Sequence, residues 1–286
     1  MNILKLGKHL PFRSKLYDIY LNRLKGERII EIEGFKMLCD FNTKNKALKK
    51  AFAAYYFNRI HEPATTKLFK ETIKKGDRVL DLGANLGYFS LLAASKGCEV
   101  WAVEPESENY KYLCKNFNLN AFKDYKIIQA AVGDKGGEIK LFKCGYDSGH
   151  HTIKQANGIK EYKEADYQEQ TEIVPMERID YFVKDMGGVD IIKMDIEGAE
   201  ALAFQGMSET ICKNKNLKMF IEYFPFLIRK MGNNPEKFIK KLLRKFEVWI
   251  IPDDYNAPHQ LVKINKPEDI ILKGEKDHFN LYVKRK

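Results

Sequence analysis

The run Val79-Leu80-Asp81-Leu82-Gly83-Ala84-Asn85-Leu86-Gly87-Tyr88-Phe89-Ser90 constrains this chain more than any other. Apolar residues give way to a glycine-spaced turn opened by Asp81, and an amphipathic segment follows, which reads as strand, tight turn and helix. Glycine leaves a turn backbone open to close approach because it has no Cβ. A helix starting here presents unpaired N–H groups. A second apolar run, Val100-Trp101-Ala102-Val103, ends in Glu104, seventeen residues beyond Gly87. A carboxylate at the tip of the second strand is placed to accept both hydroxyls of a ribose. Together the two runs predict a nucleoside-bearing ligand over the first two strands of a parallel sheet.

Spacing selects the ligand. A dinucleotide site shows G-x-G-x-x-G with the helix start aimed at a pyrophosphate. This turn has only Gly83 and Gly87, and the carboxylate of Asp81 would repel a pyrophosphate. A cation suits it better. S-adenosylmethionine carries a sulfonium and an amino group, and its carboxylate can use the helix N–H groups. A plain strand–turn–helix with acidic caps is the alternative for the turn taken alone.

Further blocks extend this into a resemblance. Asp81–Ser90 resembles the D-x-G-A-N-x-G-x-[FY]-[ST] motif of the FkbM-type S-adenosylmethionine-dependent methyltransferases. Ala102–Pro105 resembles their acidic ribose loop, Asn116–Asn120 their N-x-x-x-N stretch, and Ala131–Asp134 the turn after their third strand. Ile192–Glu200 is similar to their K-x-D-[IV]-E-G-x-E block, and His61-Glu62-Pro63 stands where an E-P pair often precedes the first strand. The resemblance runs from about Glu62 to Gly206, with weaker echoes to Glu222.

Composition sets outer bounds. At 286 residues the chain fits one α/β domain with additions. No apolar run approaches the length of a membrane span, and the basic start, Met1–Leu10, lacks the pattern of a secretory signal. Cys39, Cys98, Cys114, Cys144 and Cys212 are scattered without C-x-x-C, which indicates neither zinc nor a disulfide framework and suits a reducing cytoplasm. The net charge of +10 is uneven: +7 over residues 1–50, −5 over 51–212 and +8 over 213–286. Basic flanks suit an anionic acceptor, such as a phospholipid surface, a pyrophosphate-linked sugar or nucleic acid; solvated surface lysine is the plain alternative.

The chain divides into an N-terminal helical and hairpin extension, residues 1–60, and a methyltransferase domain, residues 61–286. Pro11–Lys25 predicts a helix with Phe12, Leu16, Ile19, Tyr20 and Leu24 near one face, for packing on the domain or lying on a membrane surface. Glu27–Asp40 predicts a hairpin about Glu33-Gly34. Lys44–Ile73 predicts helix interrupted at Glu62-Pro63. Strands follow at Arg78–Leu82, Glu99–Val103, Lys126–Ala131, Ile191–Met194 and Lys218–Glu222, with Phe246–Ile251 and Asn280–Val283 as the last pair. This alternation predicts a doubly wound, mostly parallel sheet with helices on both faces. The resemblance implies its class I methyltransferase form, Rossmann-like and seven-stranded in the order 3-2-1-4-5-7-6, with its final strand antiparallel. Residues 136–174 form an insertion, within which Gly145–Gly158 reads as a loop where substrate specificity would reside.

In that order Gly83 and Asn85 flank one side of a methionyl arm, and Asp195 with Glu197 the other. Asp81 and Glu62 are candidates to orient the turn and the cofactor's amino group, or simply to cap. Tyr88 and Phe89 would shield the cofactor or fill core. Pro105 belongs to the ribose loop, and Ala131 would meet adenine through its backbone. Methyl transfer is an in-line displacement in which positioning dominates, with a base taking the acceptor's proton. Asp195, Glu197, His150 and His151 are the candidate catalytic residues, the histidines having plain surface roles as their alternative. A divalent metal on Asp195, Glu197 and Glu222 is a minor alternative, and no metal site is assigned.

After the fourth strand the chain has Asp195-Ile196-Glu197-Gly198 in place of the [DNS]-P-P-[YFW] of amino-methylating enzymes, and it contains no Pro-Cys for cytosine C5 methylation. The resemblance implies O-methylation of a hydroxyl on a glycan, sugar-bearing lipid or secondary metabolite, yielding S-adenosylhomocysteine. A ribose 2′-O-methyltransferase acting on RNA through Lys193, Asp195 and Glu222 is the second reading, and a non-catalytic binding protein the third. Losing a charged hydrogen-bond partner costs ~1.5–3 kcal/mol. Glu104→Ala should therefore weaken S-adenosylmethionine binding about ten- to a hundredfold by calorimetric titration.

Overall fold

The computed structural model describes residues 20–21, 23–58, 60–144, 148, 151–153, 171–252, 260–272, 274 and 277–286. An antiparallel hairpin, β1 (Glu27–Ile32) and β2 (Phe35–Asp40), turns at Glu33-Gly34, both with positive φ, as the expected two-residue turn requires. Helix α1 (Lys46–Asn58) is capped by Asn45, whose Oδ1 accepts from the Ala47 and Leu48 N–H groups. Pro63 opens α2 (Pro63–Thr72), so the predicted interruption falls where proline has no N–H to give.

The doubly wound unit follows as β3 (Arg78–Leu82), α3 (Tyr88–Ser95), β4 (Glu99–Val103), α4 (Ser107–Asn118), β5 (Tyr125–Ile128), β6 (Ala131–Gly133), β7 (Gly137–Phe142), β8 (Thr171–Arg178), α5 (Ile179–Met186) and β9 (Ile191–Met194). Short helices α6 (Glu200–Ala203) and α7 (Ser208–Lys213) lead to β10 (Lys218–Tyr223), α8 (Pro225–Lys230), α9 (Pro235–Lys245), β11 (Phe246–Ile251), β12 (Val262–Ile264) and β13 (Phe279–Arg285).

The main sheet runs β12-β11-β13-β10-β9-β3-β4-β5. Without β12 this is the predicted order, and β13 is antiparallel to both β10 and β11. The sheet has eight strands instead of seven because β12 pairs antiparallel onto the outer edge of β11. A second difference lies at the predicted strand 126–131. Pairing with β4 ends at Ile128, and Ala131 opens a separate three-stranded sheet, β6-β8-β7. The inserted region is thus partly a β7–β8 hairpin in which Val174 and Met176 alternate inward on β8. The predicted loop 145–158 lies outside the described residues except at Ser148 and residues 151–153.

The central strands are covered on both faces, and their runs are mostly apolar, with Asp81 on β3 and Lys193 on β9 as buried charged exceptions. Leu80, Leu82, Ile192 and Met194 pack into one core, and Val79, Val100, Ala102 and Ile191 into the other. The hairpin shares the second core through Ile30, Ile32, Phe35 and Met37. Asn116, fully buried on α4, accepts from the Leu38 N–H at 2.8 Å and donates to the Leu86 carbonyl at 2.7 Å. The predicted N-x-x-x-N stretch therefore ties hairpin to sheet, with Asn120 bonded to both backbone groups of Lys36. Most of the predicted helix 11–25 lies outside the described residues; at its end Leu21 is buried and the Tyr20 ring meets Phe57. Among the described residues no helix is long and apolar enough to cross a membrane.

Candidate active site

Strand order reverses between β3 and β9, where a crevice opens beyond the strand ends. A cavity of about 540 Å³ occupies it, within the range of small-molecule sites. Gly83, with φ of 77°, follows β3 there. A Cβ on it would lie 1.8 Å from the Asp195 carbonyl oxygen, so this glycine lets the ends of β3 and β9 close against each other. Gly87 starts α3 at φ of 95° and packs against Leu113; it stands behind the cavity wall. Four non-glycine residues among those described have positive φ, and three of them, Glu62, Asn85 and Glu197, line the cavity. Strain of this kind gathers where structure over-determines a functional geometry.

Glu104 marks one end of the cavity. Its carboxylate accepts from the Asn85 N–H at 2.8 Å and the Glu106 N–H at 2.9 Å. Burial pushes it up to about 8, against those hydrogen bonds, which favour the charged form. Pro105, Ala131 and Leu141 line the same end. Ser148 is held over it by Asn109 Nδ2, which donates to the Ser148 carbonyl at 2.8 Å.

Lys193 organises the other end. Its side chain is 1% exposed, its Nζ lies 3.1 Å from Asp195 Oδ2, and it stands 4.9 Å from the centre of the Phe89 ring. Burial alone would discharge this ammonium, but Asp195, Glu62, Asp81 and Glu222 surround it and hold it charged, well above the ordinary lysine range. The effect on the carboxyls is uneven. Burial raises Glu62, yet Lys193 and His61 outweigh it and bring Glu62 down to about 2. Asp81, burial-raised to about 6, takes a 2.6 Å bond from the Ser90 hydroxyl. Glu222 is pushed well up by burial and by Asp195, Glu197 and Glu200. Carboxyls of contrasting ionisation in one site are how one fold supplies acid and base roles.

The turn after β9 is held from beneath. Fully buried Glu200 accepts from the Ile196 N–H at 3.0 Å and the Gly198 N–H at 3.2 Å. Asp195 and Glu197 line the cavity above it. Oxygen atoms of Asp195, Glu197 and Glu222 lie within 4.8 Å of one another, the donor set among the described residues with a metal ion's chemistry.

Of the predicted residues, Glu62, Asp81, Gly83, Asn85, Tyr88, Glu104, Pro105, Ala131, Asp195 and Glu197 line this one cavity. His150 lies outside the described residues. His151 lines the cavity, but its Nδ1 accepts from the Cys144 N–H at 3.0 Å, which puts the neutral ring's proton on Nε2 and commits the acceptor nitrogen to the backbone. Asp81 accepts from both the hydroxyl and the backbone N–H of Ser90 in the first turn of α3, which steadies the helix start, and it faces Lys193. Sequence reasoning missed Lys50, Tyr55 and His61, which wall the cavity from α1 and the loop after it, and His278 before β13. Tyr55 stacks on Tyr88 with ring centres 5.7 Å apart. No local motif marks Lys50, Tyr55 or His278, whereas His61 stood in the His61-Glu62-Pro63 block and Lys193 in the Ile192–Glu200 block.

A doubly wound sheet in this order, with an acidic second-strand tip over a cavity at the switch point, defines the class I methyltransferase fold. The sequence model of the methyltransferase FkbM domain matches residues 81–249, more than half of the chain, and the chain belongs to that family. Methyltransferase sdnD of Sordaria araneosa is 26% identical over 156 residues, covering 46% of this chain and 60% of that protein. A Methanocaldococcus jannaschii protein named as a ribosomal RNA large subunit methyltransferase is 35% identical over 127 residues, 41% of this chain and 32% of that protein. The matches thus span less than two thirds of either relative. The crystal structure of M. jannaschii TYW2 with AdoMet aligns with 91% of this chain and 86% of that one, at 12% identity and a TM-score of 0.42.

Removing one partner of a buried ion pair costs about 3–5 kcal/mol because the other charge is stranded. Lys193→Met should lose about that much at pH 7 in urea unfolding. Glu62, lowered from 4.5 to about 2, contributes stability that is complete above 4.5 and fades as pH falls towards 2. The gap between wild type and Lys193→Met should therefore narrow below pH 4.5, as the stranded carboxylates take up protons. A gap constant with pH would contradict this.

Proposed function

We propose that the chain is an S-adenosylmethionine-dependent O-methyltransferase acting on a hydroxyl of a sugar, glycolipid or related secondary-metabolite acceptor. The observation that carries the reading is one cavity with two chemically distinct ends: Glu104 among backbone donors at one, and carboxyls gathered about Lys193 at the other. The fit to the cofactor rests on buried polar atoms of cavity-lining residues, Asn85 Oδ1 among them, that have no partner among the described residues, and on an acidic interior that suits a sulfonium and an amino group. Ribose hydroxyls donating to Glu104 favour its charged form and offset its burial. Glu62 and Asp81 face Lys193 on the methionyl side.

S-adenosylmethionine, when bound, supplies an activated methyl group. The protein's part is to align the acceptor and remove its proton. Asp195, 3.1 Å from the Lys193 ammonium, is the base we assign. Glu222 and Glu197 stand beside it to bind neighbouring hydroxyls, with burial and the surrounding carboxyls pushing Glu222 towards its protonated form. Ammonium and carboxyls thereby divide the tasks of orienting an oxygen and accepting its proton.

RNA ribose methylation is the second reading. It is favoured by Lys193, Asp195 and Glu222 meeting in one cavity, and by the likeness to the M. jannaschii protein. The excess of carboxyls about Lys193 opposes it, because a phosphodiester is anionic.

The test uses methyl-tritiated S-adenosylmethionine, the full chain, and host extract separated into nucleic-acid, lipid, glycan and small-molecule fractions, with and without EDTA. Label is expected in a glycan, lipid or small-molecule fraction resistant to nuclease, and insensitive to EDTA. Label released by ribonuclease would replace the leading reading with the second, and loss of labelling in EDTA would assign a metal to the Asp195–Glu197–Glu222 set.

A further inference from the structure

We propose that Asn109 and Ser148 are adenosine-binding residues, so that α4 and, through Ser148, the insertion between β7 and β8 contribute to the cofactor site. The inference rests on the reading of the cavity as an S-adenosylmethionine site.

Asn109 lies on α4 and is 1% exposed; Ser148 lies in the insertion and is 2% exposed. Both line the cavity beside Glu104. Asn109 Nδ2 donates to the Ser148 carbonyl at 2.8 Å and reaches Glu104 Oε1 at 3.5 Å. Both partners are acceptors, which fixes the amide's orientation and turns its Oδ1 away from them. Among the described residues that Oδ1 has no hydrogen-bond partner, and neither has the Ser148 hydroxyl. Folded proteins rarely leave such groups buried and unmet, and each exception asks for an explanation.

Two atoms unmet among the described residues thus belong to side chains, from two separate elements, that line the cavity with the carboxylate assigned to the ribose. Their chemistry is complementary to adenosine. Asn109 Oδ1 only accepts, and the nucleoside offers hydroxyl and exocyclic amino donors. The Ser148 hydroxyl both donates and accepts, matching a hydroxyl or a ring nitrogen. The insertion is also anchored on this side: Asn85 Nδ2 donates to the same Ser148 carbonyl at 3.4 Å, and Phe142 and Thr152 exchange backbone bonds at 2.8 and 3.1 Å. Asn85 in turn gives its N–H to Glu104. Cofactor recognition thus extends from the strand ends into the insertion, which at these residues bears on the adenosine instead of the acceptor.

The discriminating variant is Ser148→Ala, which deletes one unmet hydroxyl and nothing else. Titration calorimetry with S-adenosylmethionine, S-adenosylhomocysteine and adenosine should show all three weakened together, about three- to tenfold. The melting temperature of the ligand-free protein should stay the same or rise, since a buried group without a partner has been removed. Asn109→Ala should lower both affinity and melting temperature, because it also releases Ser148 and Glu104. Unchanged adenosine affinity in a folded Ser148→Ala protein would overturn the proposal while leaving the cofactor reading intact. Wild-type protein that binds neither S-adenosylmethionine nor adenosine would overturn both.

Discussion

The arrangement of the site depends on one buried charge. Lys193 carries an ammonium into a region 1% exposed, where it survives only because Asp195, Glu62, Asp81 and Glu222 converge on it. The dependence is mutual. Those carboxyls come from the loop before α2 and from three strands or strand ends, and without a cation between them they would repel one another at short range in a weakly screening interior. The ion cluster therefore specifies how β3, β9, β10 and the N-terminal helices meet. It also divides the carboxyls into one held ionised, Glu62, and one pressed towards its protonated form, Glu222.

Backbone geometry brings these side chains within reach. Gly83 allows the β9 end to pass where any Cβ would collide with the Asp195 carbonyl. The Asp195 N–H bonds the Leu82 carbonyl at 3.0 Å, and Glu200 ties down the turn beyond. Positive φ at Glu62, Asn85 and Glu197 is stored at the same place. The turn after β3 is thus shaped as much by its neighbouring strand as by any ligand. Gly87 makes the same point, since a Cβ there would collide with Leu113.

Most of the fold was legible because its signals are local. Apolar runs ending in Asp81, Glu104 and Asp195 mark strand ends, Pro63 marks a helix start, and Glu33-Gly34 marks a hairpin turn. The sheet order followed from the class of alternation and the family resemblance. The break at Gln129 was not legible: the β4 pairing ends at Ile128, and the Gln129 side chain donates to Glu172 and the Pro105 carbonyl, which are tertiary contacts. The site was legible where function uses a motif, as at Glu104 and Asp195. It was hidden where a wall comes from a distant element, as with Tyr55 and His278. Asn116 and Asn120 were visible as a pattern, but their bonds to the hairpin are long-range and carried no sequence mark.

The central claim is that a single cavity holds the adenosine at Glu104 and the reacting sulfur at the Lys193-centred carboxyls. A crystal structure of the chain with S-adenosylhomocysteine tests it most directly. The account predicts both ribose hydroxyls within hydrogen-bond distance of Glu104, and the sulfur turned towards Asp195 and Glu222. A ligand bound outside this cavity, or bound with its ribose away from Glu104, would contradict it.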